Sequence, residues 1–356
     1  MAGNTKSKDV VLVVPSIREN SWNRFVDEWR KIGLFDHVDV ILMEDNPKKT
    51  FTADPSFVHL SWEDIERDLK GDSWIIPRRS DTVRSFGYYR AYQHGAKYIL
   101  TLDDDCYPPT DEHDGFSYSS GARGFLDTHI AAMEGRSAWF NTLSGVKPRG
   151  IPFYNTGKME GVLINHGLWT NVLDYDAPTQ LVDPKKFEHP FDNRIVPQGQ
   201  FFPLCGMNVM WKREATVLMY HLLMGSLKSD VMDAPAKLPF DRFGDIWCGL
   251  FAKQILDHNG YSVSTGIPYI HHDRASNPFT NLRKEANGLE VNEKLWNYVA
   301  DFYPGAENNR SLNEQYAALG SWINAYNDFE EYLSYFMQLG LAMTIWSDLF
   351  KEIDGE

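Results

Sequence analysis

The five residues Val10-Val-Leu-Val-Val14 form an unbroken aliphatic run that stops at Pro15-Ser16. A strand with one wet face alternates polar and apolar residues; a continuous run predicts a strand buried on both faces of a parallel sheet. Parallel strands need crossover connections rather than hairpins, and the sequence supplies them. Trp22, Phe25, Val26 and Trp29 recur at helical spacing, and Val38 to Met43 reads as a second strand ending in Glu44-Asp45. The helix-like segment Arg84 to Gly95 then leads into a third strand, Tyr98 to Leu102, which ends in Asp103-Asp104-Asp105. This alternation predicts an α/β fold, a Rossmann-type, mostly parallel sheet flanked by helices, with ligands beyond the carboxyl ends of its strands. Pro15, Ser16, Asp45 and the three aspartates all fall on that edge.

Lys plus Arg number 35 and Asp plus Glu 49, a formal net charge of −14, which points away from nucleic acid because phosphate backbones call for positive surface. An anionic small ligand must then be held by a metal or by a few placed arginines. The three cysteines, Cys106, Cys205 and Cys248, form no CxxC and fit a reducing, cytoplasmic location. The run after the polar residues Met1 to Asp9 is too short for a signal-peptide core, and no window reaches the roughly 20 apolar residues of a membrane span. The middle, about 141–281, is rich in Gly, Pro, Trp and His with weak periodicity, as expected of loops and short strands shaping a pocket. Further on, Ser311-Leu-Asn-Glu314 reads as a capping box, and Leu312, Tyr316, Leu319, Ile323, Tyr326, Leu333 and Phe336 share a face. We therefore expect a catalytic domain over 1–290 and a helical extension over 291–356, whose stripe serves as intramolecular core or as a contact between copies.

Adjacent carboxylates raise one another's pKa unless something positive lies between them. A divalent cation, Mg²⁺ or Mn²⁺, suits hard oxygen ligands and would bridge the aspartates to a diphosphate oxygen, easing its departure. Arg78, Arg79 and Arg84 precede the third strand and Arg18 follows the first; guanidinium forks match phosphate geometry. His271-His272 closes an apolar stretch, and either could complete a metal shell. HExxH, Walker and GxSxG signatures are missing, which removes the zincin, P-loop and hydrolase readings.

A longer set of motifs is more specific. Val14-Pro-Ser-Ile-Arg18, Arg84-Ser-Phe-Gly-Tyr88, Leu102-Asp-Asp-Asp-Cys106, Asn141-Thr-Leu143, Arg149-Gly150 and Pro152-Phe153 follow in order. So do His166-Gly-Leu-Trp169, Asp174 to Val182, Phe202 to Asn208, and Gly266 to Phe279. Over about residues 10 to 285 the chain resembles the reversibly glycosylated polypeptides, the UDP-arabinopyranose mutase family. The resemblance implies a GT-A-like fold, a UDP-sugar substrate, Mn²⁺ or Mg²⁺ at Asp103 and Asp105 with His272 as a further candidate, and a reversibly glycosylated arginine at Arg149. The family's second arginine is replaced here by Met159, beside Lys158.

The expected site then reads as follows. Uridine and diphosphate meet Pro15, Ser16, Arg18, Asp45, Arg79, Arg84 and Asp103, while His166, Trp169, Asn208 and Trp247 are expected to contact the sugar. A guanidinium is held protonated and is a poor nucleophile, so covalent glycosylation of Arg149 requires a carboxylate base, Asp104 or Asp245; clamping the diphosphate requires none. The reading is a UDP-sugar mutase interconverting pyranose and furanose forms. A glycosyltransferase using the same donor is the alternative, and a noncatalytic nucleotide-sugar scaffold is disfavoured by the intact aspartates and Arg149.

Overall fold

The computed structural model describes residues 8–134, 149–152, 154, 161–182, 193–227, 236–273, 277–304 and 310–354. Its first half runs β1 (Val10–Ser16), α1 (Glu19–Lys31), β2 (Val38–Glu44), β3 (Val58–Leu60), α2 (Trp62–Leu69), α3 (Arg84–Gln93), β4 (Tyr98–Leu102), β5 (Cys106–Tyr107), α4 (Asp111–Asp114) and α5 (Gly121–Met133). There follow β6 (Val162–Asn171), α6 (Ala177–Val182), β7 (Arg194–Ile195), β8 (Asn208–Lys212), β9 (Ser226–Leu227), β10 (Ala236–Lys237), α7 (Gly244–His258), β11 (Ser262–His272), α8 (Pro278–Ala300), α9 (Leu312–Asn324) and α10 (Leu333–Asp354).

The run Val10–Val14 is apolar throughout because it is sandwiched. Val11 and Val13 enter the core shared with α3 and the C-terminal helices. Val10, Leu12 and Val14 face the opposite core, built with Trp22, Phe25 and Trp29 of α1 and Phe125 of α5. In the main sheet the order is β3-β2-β1-β4-β8-β6-β11-β5, with β7 beside β11. β1, β2, β3 and β4 are parallel, as the alternating sequence predicts. β8 is antiparallel to both β4 and β6, and β6 pairs parallel with β11. The chain thus has the α/β layering expected, with β8 reversed near the centre of the sheet.

The capping box forms as read: Ser311 accepts from the Glu314 amide while the Glu314 carboxylate accepts from the Ser311 amide. Tyr316, Leu319, Ile323, Tyr326 and Phe336 are buried, whereas Leu333 is 37% exposed. The tail packs on the same core as the sheet. Trp346 stacks on Tyr220 and donates to the Val217 carbonyl at 2.8 Å, and Tyr335 donates to the Leu223 carbonyl at 2.9 Å. The boundary expected at residue 290 falls inside α8. Among the described residues no helix is long and apolar enough to cross a membrane.

Helices α9 and α10 meet at Gly320 and Gly340, where a Cβ on Gly340 would stand 2.3 Å from the Gly320 carbonyl oxygen. Gly340→Ala therefore forces the two helices apart, and overpacking of this kind costs about 1–3 kcal/mol. Because tail and sheet share one core, chemical denaturation of this variant should show a single shifted transition in both near- and far-UV signals. Loss of the tail's signal ahead of the sheet's would show the extension to be an independent unit.

Candidate active site

Strands β1, β2 and β4 end side by side, and residues 103–105 turn from β4 into β5. Each aspartate in that turn has a different environment. Asp104 is buried: it accepts from Ser16 Oγ at 2.6 Å and from Arg18 Nη2 at 2.8 Å. Burial pushes its carboxyl above the ordinary range, while Ser16 and Arg18 pull the other way. Both oxygens are engaged in joining β1 to β4, so Asp104, a candidate base for Arg149 in the sequence reading, instead serves as a clasp. Asp103 is more open and accepts from Arg84 Nη2 at 2.7 Å. Asp105 stands beside His272, with 4.0 Å between Oδ1 and Nε2, and its Oδ2 lies 3.8 Å from Arg18.

The Asp105–His272 pair fits a divalent metal. His272 Nδ1 lies 2.8 Å from the Val172 carbonyl, so Nδ1 carries the proton and, in the neutral ring, Nε2 turns a lone pair toward Asp105. Two electron-rich groups facing each other slightly beyond hydrogen-bond length suit a shared cation. Among the described residues no three His, Cys, Asp or Glu side chains form a cage. An incomplete oxygen and nitrogen set is compatible with Mg²⁺ or Mn²⁺, which commonly take substrate phosphates and water as further ligands. The other histidine, His271, is turned away to Asp114, 2.8 Å from its Nδ1.

At the ends of β1 and β2, the Asp45 amide donates to the Ser16 carbonyl at 2.9 Å. The Asp45 carboxylate accepts from Trp62 Nε1 at 2.7 Å and from the Arg79 amide at 3.1 Å, and burial raises its pKa. Pro15 is half-buried just before this edge. Arg79 is exposed, with φ at +57°, a left-handed conformation unusual for a residue with a Cβ. Its guanidinium lies 5.1 Å from the Trp62 ring centre. Arg78, one of the four arginines noted in the sequence, is buried against Glu66 instead. A residue that the sequence reading missed shapes the loop: Glu44, fully buried, accepts from the Thr50 and Phe51 amides and from Asn46 Nδ2, and meets His59 at 2.7 Å.

The far wall centres on Arg84, which is 5% exposed. Nη1 donates to the Gly206 carbonyl at 2.7 Å, Nε to the Asp81 carbonyl at 3.2 Å, and Nη2 to Asp103. Burial opposes its charge, yet Asp103, Tyr88, Asp81 and Asp245 raise its pKa on balance. Arg84, expected to be available to the diphosphate, has all three guanidinium nitrogens hydrogen-bonded within the protein. Gly206 is required there, since a Cβ would come within 2.6 Å of Arg84 Nη1 and 3.0 Å of His221. The Gly206 amide donates to Asp245 Oδ2 at 3.1 Å. Asp245 is pushed up to about 7, first by burial and then by the nearby charge of Asp81, with the Gly206 hydrogen bond opposing. Asp81 and His221, 3.1 Å apart, and Arg242 complete this wall. None of those three carried a recognisable motif.

The expected sugar contacts are placed differently. Trp247 is fully buried, against Phe240 and Phe243, and donates to Asn292 at 3.0 Å. Asn208 is fully buried as well: His129 meets its Oδ1 at 3.0 Å, and its amide donates to the Leu168 and Pro268 carbonyls. Both side chains lie in the core rather than on an open face. His166 is buried with both ring nitrogens engaged, Nδ1 with Thr265 and Nε2 with the Cys205 amide, and Trp169 packs edge-on against it. Arg149 is exposed on the turn at 149–150. Among the described residues, no hydrogen bond or ion pair joins it to the strand-end cluster. Asn141 to Leu143, Phe153, Lys158 and Met159 lie outside the described residues.

A family model described as "Reversibly glycosylated polypeptide" matches residues 5–355. UDP-arabinopyranose mutase 1 of Arabidopsis thaliana is 33% identical, covering 96% of this chain and 92% of its own. A probable UDP-arabinopyranose mutase 1 of Pisum sativum is also 33% identical, over 97% of this chain and 91% of its own. Among solved structures, glucosyl-3-phosphoglycerate synthase of Mycobacterium tuberculosis, in complex with Mn²⁺, UDP and glucosyl-3-phosphoglycerate, aligns with 90% of this chain and 82% of its own, at 13% identity and a TM-score of 0.38. The family match extends through the helical tail, beyond the motifs that end near residue 285. Matched along nearly its whole length, and carrying the family's motif residues at its strand-end turn, the chain belongs to the reversibly glycosylated polypeptide family.

Proposed function

We propose that this chain is a UDP-sugar mutase that interconverts pyranose and furanose forms of a UDP-linked pentose such as arabinose. The observation that carries the reading is the division of work among three adjacent aspartates: Asp104 clasps the fold, Asp103 anchors the Arg84 wall, and Asp105 stands beside His272 in a pair suited to a cation. Relatives at this identity that bear the mutase name support it.

In this reading uridine lies against Pro15, Ser16 and Asp45, and the diphosphate extends toward Arg18 and Arg79, the two strand-edge arginines with exposed surface. Asp105 and His272 would hold Mg²⁺ or Mn²⁺, whose charge favours departure of the diphosphate. The bond between C1 and the diphosphate oxygen breaks with its electron pair passing to UDP, and an Arg149 nitrogen that gives up a proton bonds to C1. The bond from C1 to the ring oxygen then breaks as that oxygen takes a proton, and another hydroxyl loses its proton as it bonds to C1; UDP returns to C1 as the arginine nitrogen leaves and regains its proton. Ring opening and ring closure thus each move one proton. A carboxyl poised at about 7 is matched to both transfers, and Asp245 is so poised. Arg149 is the residue to carry the sugar covalently while UDP is detached.

Incubation with UDP-arabinopyranose and Mn²⁺ should yield the furanose form without an acceptor; product only when an acceptor is added would establish a glycosyltransferase instead. Asp105→Asn should remove the dependence of UDP binding on Mn²⁺ in calorimetry. Binding indifferent to EDTA in the unaltered protein would eliminate the metal.

For Arg149, label from a radioactive UDP-sugar should transfer to the protein and be chased off by excess UDP. Arg149→Lys keeps the charge but loses the planar fork and should abolish labelling and interconversion together. Retained labelling would place the acceptor elsewhere.

Asp245 provides a pH signature. Acting as base it must be ionised, so turnover should rise with pH along a limb centred near 7, where an ordinary aspartate would place that limb near 4. Asp245→Asn should erase the limb and lower kcat by roughly 10²-fold or more. An unshifted limb in that variant would assign the proton to another group.

A further inference from the structure

With Trp247 and Asn208 in the core, the sugar half of the substrate lacks the contacts expected for it, yet polar groups stand open on the Asp245 side. Arg242 lies one residue before the Phe243 cap of α7, whose first turn carries Asp245, and has φ at +66°. Its Nε donates to Glu285 at 2.9 Å, and Glu285 in turn accepts from the Ala177 amide at 3.2 Å, so the stem is fixed between α7, α8 and the start of α6. The guanidinium end is one-third exposed, and among the described residues its two terminal nitrogens make no hydrogen bond. Opposite stands the exposed Asp174, with 3.8 Å between Oδ1 and Nη2, too long for a direct bond. Asp174 Oδ2 accepts from Cys205 Sγ at 3.5 Å, next to the Gly206 peptide that Asp245 holds. A continuous path therefore runs from Asp103 through Arg84 and Gly206 to Asp245, with Arg242 and Asp174 at its open end.

We propose that Arg242 and Asp174 form the sugar-recognition edge of the site, the guanidinium donating to and the carboxylate accepting from adjacent hydroxyls of the glycosyl group. This rests on the nucleotide-sugar reading and adds to it the residues that select the sugar. A hydroxyl both donates and accepts, so neighbouring hydroxyls satisfy an open pair of one fork and one carboxylate together. A phosphate satisfies only the fork and is repelled by Asp174, Asp245 and Asp81, whose charges surround this end of the pocket. The chemistry therefore favours a polyhydroxylated, uncharged group here and leaves the diphosphate to the Arg18 side. Arg242 and Asp174 are contacts that position the sugar and carry no proton in the reaction.

Calorimetry with UDP and with UDP-arabinopyranose, each with Mn²⁺, separates the two halves of the ligand. Arg242→Gln and Asp174→Asn should each leave UDP affinity within about twofold of the unaltered protein. Each should weaken UDP-arabinopyranose by roughly tenfold or more, since a site built to pair hydroxyls is left with an unmet partner. Arg242→Lys, which keeps charge without the fork, should fall between. Asp174 is exposed, so its variant reports without a demand on folding. An unchanged ratio of UDP-sugar to UDP affinity in both variants would overturn this assignment while leaving the mutase reading standing. Equal loss of UDP and UDP-sugar would likewise overturn it, as a general disturbance of the site. Failure of the unaltered protein to bind UDP would overturn the nucleotide-sugar reading and this assignment with it.

Discussion

Consecutive carboxylates at the end of a buried strand repel one another, and this repulsion organises the molecule around it. The chain meets it by drawing donors to two of the aspartates, Arg84 from α3 to Asp103 and Ser16 with Arg18 from the end of β1 to Asp104, while Asp105 is left beside His272 of β11. Two elements distant in sequence are thereby pinned to one turn. The pairs differ in weight. Arg18 is 38% exposed, so its bond to Asp104 is partly screened and adds modestly. Arg84 is buried, and stripping a buried cation of its partner costs several kcal/mol because the remaining charge has no water to turn to. Site and fold are therefore held by the same contacts.

How much of this could be read beforehand depended on whether a residue's role follows from its neighbours in sequence. β1, β2, β4, α1 and the Ser311 cap were legible because two-sided burial, helical spacing and capping are local patterns. The middle was not, because β8 enters reversed between β4 and β6, and no local period announces a strand's direction. The paired histidines were visible, but only the register of β11 on β5 chooses between them. His272 lies opposite Cys106, next to Asp105, and His271 is carried to Asp114. Asp81 and His221 meet across 140 residues, and nothing near either one marks the meeting. Trp247 misled for a geometric reason: residues two apart on a helix point to different sides, so Asp245 at the pocket places Trp247 in the core.

The helical tail is tied to the site through one segment. Residues 217–224 lie between α10 and the start of α3: Trp346 and Tyr335 bond to the Val217 and Leu223 carbonyls, while the His221 amide donates to Ser85 Oγ and its carbonyl accepts from Thr82. His221 is thereby set against Asp81 and beside the Gly206 peptide that Arg84 grips. A family match that includes the tail agrees with this packing. The extension acts as the far buttress of the Arg84 wall.

That wall also links the two ends of the substrate electrostatically. Gly206 donates its N–H to Asp245 and, from the following peptide group, offers its carbonyl to Arg84, while Arg84 holds Asp103. The two peptide groups share only the Gly206 Cα, so what passes between them is position. Charge acts directly instead: the Asp245 carboxylate helps to keep Arg84 charged, and Arg84 in turn favours the ionised form of Asp245. A proton gained by Asp245 removes that support from Arg84, and with it changes the field in which Arg84 holds Asp103 at the end of β4.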